Sequence, residues 1–415
     1  MATIDTFSEA SARSAEAGAG ATTGTAEGGL LVSLSALDHE GLALTLSNLS
    51  TAFPGESLLI ATPDAAPDSS SAENSQGNIR MIPYTPGVAS RESWVPTAPD
   101  YFNAYKLAKD HGAGAVLMLG SESASLDPES LRKLGLAIAG GADLASPDYA
   151  LGPREGLVNS AILYPVTRSL FGTRPRFPLA IDLGLSMRMA ERLATVAQRF
   201  TAINQMDALL WPLSEAAAAG FNVVEIPGVS RHIPQPGTSD LNAVLARVAG
   251  SLFADVDAKA ALWQRIRTTQ LASTTVPATP AIPARDHTTD ISAMLETFRI
   301  AYTNLAEIWS LVLPPNSLLG LKRLAATPAA TFRMPDALWA RIVFDFILAY
   351  RLRTLNRGHL LGALTPLYLA WVASHLAQTG DADSAERHIQ SVAAAFEADK
   401  PYLVSRWRWP DRFNP

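Results

Sequence analysis

The chain has 415 residues, 48% of them hydrophobic and only 17% charged, which excludes wholesale disorder and predicts two modules with ample core. The 33 Lys and Arg against 39 Asp and Glu give a net charge of -6 with no basic cluster, so nucleic acid is excluded as a partner. No cysteine is present, which removes disulfides, thiolate metal sites and a cysteine nucleophile and fits a cytoplasmic location.

Residues 1–28 are Ala, Gly, Ser, Thr and Glu with almost nothing large and apolar, and they read as a disordered tail without a secretory leader pattern. Gly18, Gly20 and Gly24 precede the first strand, whereas a dinucleotide-binding loop must follow one. From Leu30 onward, short apolar runs at Leu30–Leu34, Ser57–Ala61, Ala115–Leu119, Asp143–Ser146 and Asn222–Ile226 predict buried strands. Between them, helical periodicity runs through about 40–52, 101–111, 128–139, 155–170 and 187–200. This alternation predicts an α/β fold with a mostly parallel sheet covered on both faces. Ligands of such sheets bind beyond the carboxyl ends of the strands, which directs attention to the loops after Leu34, Ala61, Leu119 and Ser146.

After about residue 240 the pattern is helical throughout, over Leu241–Gln270, Ile291–Leu313, Pro335–Arg353, His359–Ala377 and Ser384–Phe396, with a Pro-rich loop at 274–287. The expected division is a tail at 1–28, an α/β domain at 29–255 and a helical domain at 256–415. No run of eighteen apolar residues occurs, so no integral membrane segment is expected. Within the helical part Asp345 stands among Val343, Phe344, Phe346 and Ile347, and Arg341 one turn earlier is its expected partner.

The chain lacks a phosphate-binding P-loop, a zinc-protease helix and a nucleophile elbow, and its seven histidines stand singly. Only His232, just after the last predicted strand, occupies a place where a ligand residue is useful. Three stretches carry a resemblance: DLASPDY at Asp143–Tyr149, YPVTRSLFG at Tyr164–Gly172 and RFPLAIDLGLS at Arg176–Ser186. Gly220-Phe221, Gly228 with His232, Ser251 to Phe253, and the helical motifs around Trp339, Phe344 to Phe346, Pro366 to Tyr368 and Lys400 to Trp407 follow in order. Together they resemble the retaining, nucleotide-sugar-dependent glycosyltransferases of family 2 type, especially those similar to mannosylglycerate and glucosylglycerate synthases.

The resemblance implies a GT-A fold with a C-terminal helical domain, and transfer of a hexose from a nucleotide sugar to a small hydroxy acid such as glycerate. It also implies a carboxylate pair holding Mg²⁺ or Mn²⁺ against the diphosphate, because a cation must neutralise the leaving group. In this chain Gly120 and Glu122 stand at that pair, so Glu122 and His232 are the expected metal ligands. The Gly-Gly-acid turn of the family reads Ala180-Ile181-Asp182, which retains Asp182 as the expected catalytic acid. The acid expected two residues before Trp211 falls on Leu209, with Asp207 nearby as the second catalytic candidate. Asp38 and Asp64 are the expected nucleoside contacts, and Tyr149 and Arg154 the expected acceptor contacts.

Two readings follow. The first is an active hexosyltransferase with an altered, weakly metal-dependent site. The second is a degenerate relative that keeps the scaffold as a binding or partner-interaction protein, as loss of one metal carboxylate and both turn glycines predicts. Self-association into a homo-oligomer stays open under both.

Overall fold

The computed structural model describes residues 29–63, 75–76, 78–84, 95–232, 241–266 and 291–410. The α/β half runs β1 (Leu30–Leu34), α1 (His39–Ala52), β2 (Leu58–Thr62), β3 (Ser75–Gln76), β4 (Ile79–Pro83), α2 (Ala98–Asp110) and β5 (Ala115–Leu119). It continues through α3 (Pro128–Ala139), β6 (Leu144–Tyr149), α4 (Tyr164–Phe171), β7 (Leu183–Ser186), α5 (Met187–Thr201), α6 (Pro212–Ala219) and β8 (Val223–Val229). Helices follow: α7 (Leu241–Ala258), α8 (Ala260–Trp263), α9 (Ile291–Asn304), α10 (Ala306–Val312), α11 (Pro315–Ala325), α12 (Asp336–Leu352), α13 (Arg357–Gln378) and α14 (Ala382–Arg408).

The strands form one eight-stranded sheet in the order β3-β4-β2-β1-β5-β7-β6-β8. β1, β2 and β5 are five-residue strands, apolar except for Ser33 and Thr62 and buried at every position, as strands covered on both faces must be. Pairing is parallel between β1 and β2, β1 and β5, β2 and β4, and β6 and β8. β7 runs antiparallel between β5 and β6, so its first residue, Leu183, lies beside Met118 at the end of β5. That reversal brings the segment before β7 to the carboxyl edge of the sheet. β7 escaped the sequence reading because it is short and holds Gly184 at its centre. A side chain there would meet the Leu134 carbonyl and Ile138 Cγ1 of α3, both at 3.0 Å, so glycine is required for α3 to lie close.

The expected helix over 155–170 proves to be a turn of π-helix, Asn159–Leu163, leading into α4, whose Pro165 near its start tolerates the missing N–H. The Trp339 indole of α12 donates to the Ala161 carbonyl inside that turn at 2.8 Å. α14 packs on α4, where Arg168 pairs with Glu397 at 2.9 Å. One apolar core runs through both halves of the chain, and the expected boundary at 255 falls inside α7. The predicted loop at 274–287 lies outside the described residues.

Asp345 is a correction. Arg341 instead pairs with Asp399 and stacks its guanidinium 3.5 Å from the Tyr402 ring centre. Asp345 takes the Tyr402 hydroxyl at 2.6 Å, with Arg406 at 3.9 Å, because α14 rather than the next turn of α12 supplies the nearest donors. Among the described residues, α13 is the one helix long and apolar enough to cross a membrane, and 78% of its apolar window is buried inside the protein.

Candidate active site

Three segments meet at the carboxyl edge of the sheet: Gly120-Ser121 after β5, Ile181-Asp182 before β7, and Arg231-His232 after β8. Asp182 and Arg231 are both fully buried and form an ion pair, Arg231 Nε to Asp182 Oδ2 at 2.5 Å. The carboxylate has four acceptor positions. Oδ1 takes Gly120 N at 3.1 Å and Arg231 Nη2 at 3.1 Å; Oδ2 takes Arg231 Nε and the Tyr149 hydroxyl at 2.9 Å. All four are used by the protein itself. Arg231 gives two further N–H groups to main-chain carbonyls, Nη2 to Ser121 at 2.5 Å and Nη1 to His232 at 2.9 Å.

The Tyr149 hydroxyl in turn accepts the backbone N–H groups of Asp182 at 3.1 Å and Ile181 at 3.3 Å. Burial, then the charge of Asp182, pushes this phenol well above its ordinary pKa, so it stays protonated and donates. At Gly120 an added Cβ would meet the Ile181 carbonyl at 3.1 Å, Ile181 Cβ at 3.2 Å and Arg231 Nη2 at 3.4 Å. Ile181 and Arg231 thus close the space that an aspartate at 120 would need.

The structure brings together Asp182 and Tyr149, and sets the chain at His232 against the turn that follows Glu122, with His232 N donating to Ser125 Oγ at 3.1 Å. Glu122 is exposed and sits in the left-handed region at φ 64, opening the 3-10 turn Ser123–Ser125. The His232 side chain is also exposed. Asp38 caps α1, accepting Gly41 N at 2.7 Å. Arg154 is exposed on the loop after β6. Asp207 is exposed in a separate large groove formed by α5, α6 and α7, and its carbonyl accepts Arg247 Nη2 at 3.3 Å. Asp64 lies outside the described residues. Asp143, which opens the first resembling stretch, serves the fold: it binds Arg188, Ser186 Oγ and Asn222 N and so ties β6 to β7 and β8.

The sequence reading overlooked Arg231. Its signal was indirect: with Gly120 in place of a metal carboxylate, the retained Asp182 had to find another cation, and Arg231 beside His232 was the nearest on the strand ends. The described residues do not form a complete divalent-ion site. Among the described residues no group of three or more His, Cys, Asp or Glu side chains could hold one, and Asp182 has no lone pair to offer.

No family model matches the chain, and no curated protein matches it. Among solved structures, glucosyl-3-phosphoglycerate synthase from Mycobacterium tuberculosis with Mn²⁺, UDP-glucose and phosphoglyceric acid aligns at 13% identity and a TM-score of 0.33, over 55% of this chain and 79% of its own. The same enzyme with phosphoglyceric acid alone gives 13% identity and 0.31, over 55% and 79%. A further mycobacterial protein gives 13% and 0.32, over 55% and 74%. At such scores the likeness carries no weight about chemistry. The mixed sheet with its one reversed inner strand, and the helical part behind it, are of the expected class. The fold is mixed α/β with a helical C-terminal part.

Proposed function

We propose that this chain is a glycosyltransferase-like scaffold that has given up metal-dependent sugar transfer and serves as a binding or partner-interaction protein. The observation that supports this reading is the fully buried pair of Asp182 and Arg231, in which every acceptor of the carboxylate is taken. A transferase needs a charge at the strand end that can meet a diphosphate. Here the charge is an arginine whose donors are turned inward onto Asp182, Ser121 and His232. Transfer of a hexose to glycerate, with Glu122 and His232 on a metal and Asp38, Asp64, Tyr149, Arg154 and Asp207 around the substrates, would require that cluster to open.

The experiment is thermal shift and calorimetry with a panel of nucleotide sugars, with and without Mn²⁺, followed by a product assay with glycerate and phosphoglycerate. The expected result is no Mn²⁺-dependent binding and no glycoside. Metal-enhanced nucleotide-sugar binding, or glycoside formed at a rate that falls on removing Asp182, would overturn the reading.

A further inference from the structure

On the other side of Tyr149 lies a cavity of about 190 Å³, between the end of β6, β8, the segment before β7 and the start of α14. Its polar groups are incomplete in a specific way. Asp148 enters at the point where the β6 and β8 register shifts, and its carboxylate takes no hydrogen bond from any described residue. Glu225 of β8 uses Oε1 on the backbone N–H of Arg176 at 2.5 Å, and its second oxygen has no partner among the described residues. The Arg176 side chain, 11% exposed, gives Nε to Glu386 at 3.4 Å and Nη2 to Ser160 Oγ at 3.1 Å. Its Nη1 is buried without a hydrogen-bond partner among the described residues. The guanidinium is held against the ring of Tyr164 at 4.8 Å and that of Phe177 at 5.5 Å.

We propose that this cavity binds one ring of a small neutral polyol or monosaccharide, whose neighbouring hydroxyls donate to Asp148 and Glu225 and accept from the Arg176 guanidinium that lines it. A hydroxyl is both donor and acceptor, so it satisfies carboxylates and a guanidinium at once. An ammonium ligand could serve the two acids but would face Arg176 with like charge and no lone pair. A carboxylate or phosphate ligand would suit Arg176 and be repelled by Asp148, Glu225 and Glu386. The volume is below that of drug-sized pockets and suits a single ring, and aromatic walls beside planar polar groups offer the apolar faces of a sugar a surface. The Tyr149 ring, edge-on to Phe177 at 4.9 Å, completes the wall.

Affinity follows the ionisation of the acids, because hydroxyl bonds to a carboxylate are stronger than those to a neutral carboxyl. The groups facing them are Arg174 and Arg176 before β7, Glu155 after β6, Tyr164 on α4 and Glu386 on α14. Burial, opposed by Arg176, pushes Asp148 up to about 6. Burial, opposed first by the Arg176 N–H, pushes Glu225 up to about 7. Both are charged at pH 8 and protonated at pH 5.

The test is calorimetry on the full chain with glucose, mannose, inositol and glycerol, beside glucosamine as a cationic probe and 3-phosphoglycerate as an anionic one. At least one neutral probe is expected to bind, roughly tenfold more weakly at pH 5 than at pH 8. Asp148→Asn is expected to cost about tenfold at pH 8. Ala382→Leu, which adds bulk to the lining while leaving every polar group in place, is expected to abolish binding. Absence of binding by all neutral probes to 50 mM (roughly the floor of a specific site), preference for either charged probe, or affinity unchanged by both variants would overturn it. Free polyol binding reads this inference and glycoside formation reads the proposed function, so each can fail alone.

Discussion

Tyr149 separates two clusters that contain the same ingredients, an arginine and acids at the ends of neighbouring strands, and that differ in how many lone pairs and N–H groups remain. Around Asp182 every acceptor is filled and both charged side chains are fully buried. Around Arg176 one guanidinium nitrogen has no hydrogen-bond partner among the described residues, and Asp148 and Glu225 line a cavity with oxygens left unpaired. The first cluster therefore acts on the protein's own stability, and the second is available to a ligand. A carboxylate at an expected catalytic position, such as Asp182, says little about activity until its lone pairs are counted.

Breaking the closed cluster should have the largest effect. Arg231→Met leaves Asp182 buried without a counter-charge and is expected to cost about 3–5 kcal/mol in urea denaturation, while the double change with Asp182→Leu should recover most of it. A loss under 1 kcal/mol for Arg231→Met would mean that Asp182 is not held as described (~1 being the ceiling of an exposed pair).

In the open cluster the sign reverses. The folded pKa of Asp148 lies near 6, above its ordinary value, so its favourable contribution is full at pH values below about 4 and is lost as pH rises through 6. Asp148→Asn should therefore match the parent at pH 4 and be more stable at pH 8 by about 2–3 kcal/mol, from a shift of roughly two units. Equal stability at both pH values would show the carboxylate to be well solvated.

Gly120→Asp sharpens the contrast from the metal side. The crowding at Ile181 and Arg231 should cost about 1–3 kcal/mol, with no Mn²⁺ binding gained in calorimetry; a gain would reopen the closed cluster. The smallest effect is expected for Tyr149→Phe, about 1–2 kcal/mol, since it withdraws one donor from Asp182 and the acceptor of two backbone N–H groups.

Much of this architecture could be read in the sequence, where burial on both faces writes itself as an unbroken apolar run. Leu30–Leu34 and Ala115–Leu119 were placed to the residue. Ile79–Pro83 and Leu183–Ser186 were not, since the first alternates with polar residues at an edge and the second centres on a glycine. The site was half legible. Asp182 and Tyr149 stood in motifs, and the structure joins them by a hydrogen bond. Arg231 and Glu225 carry no motif, and Arg176 opens one without a role attached to it; what marks all three is the position of another segment's carboxylate, N–H or ring, which only the fold supplies.

The indole of Trp339 held by the carbonyl of Ala161, inside a turn of π-helix and within one continuous core, has a consequence for how the molecule comes apart. Pro165, four residues on, has no N–H to give the Ala161 carbonyl, and the second half of the chain supplies the donor instead. Neither half then keeps a complete interior alone. Heating should show a single cooperative transition, and hydrogen exchange at β6 and at α12 should report the same opening free energy.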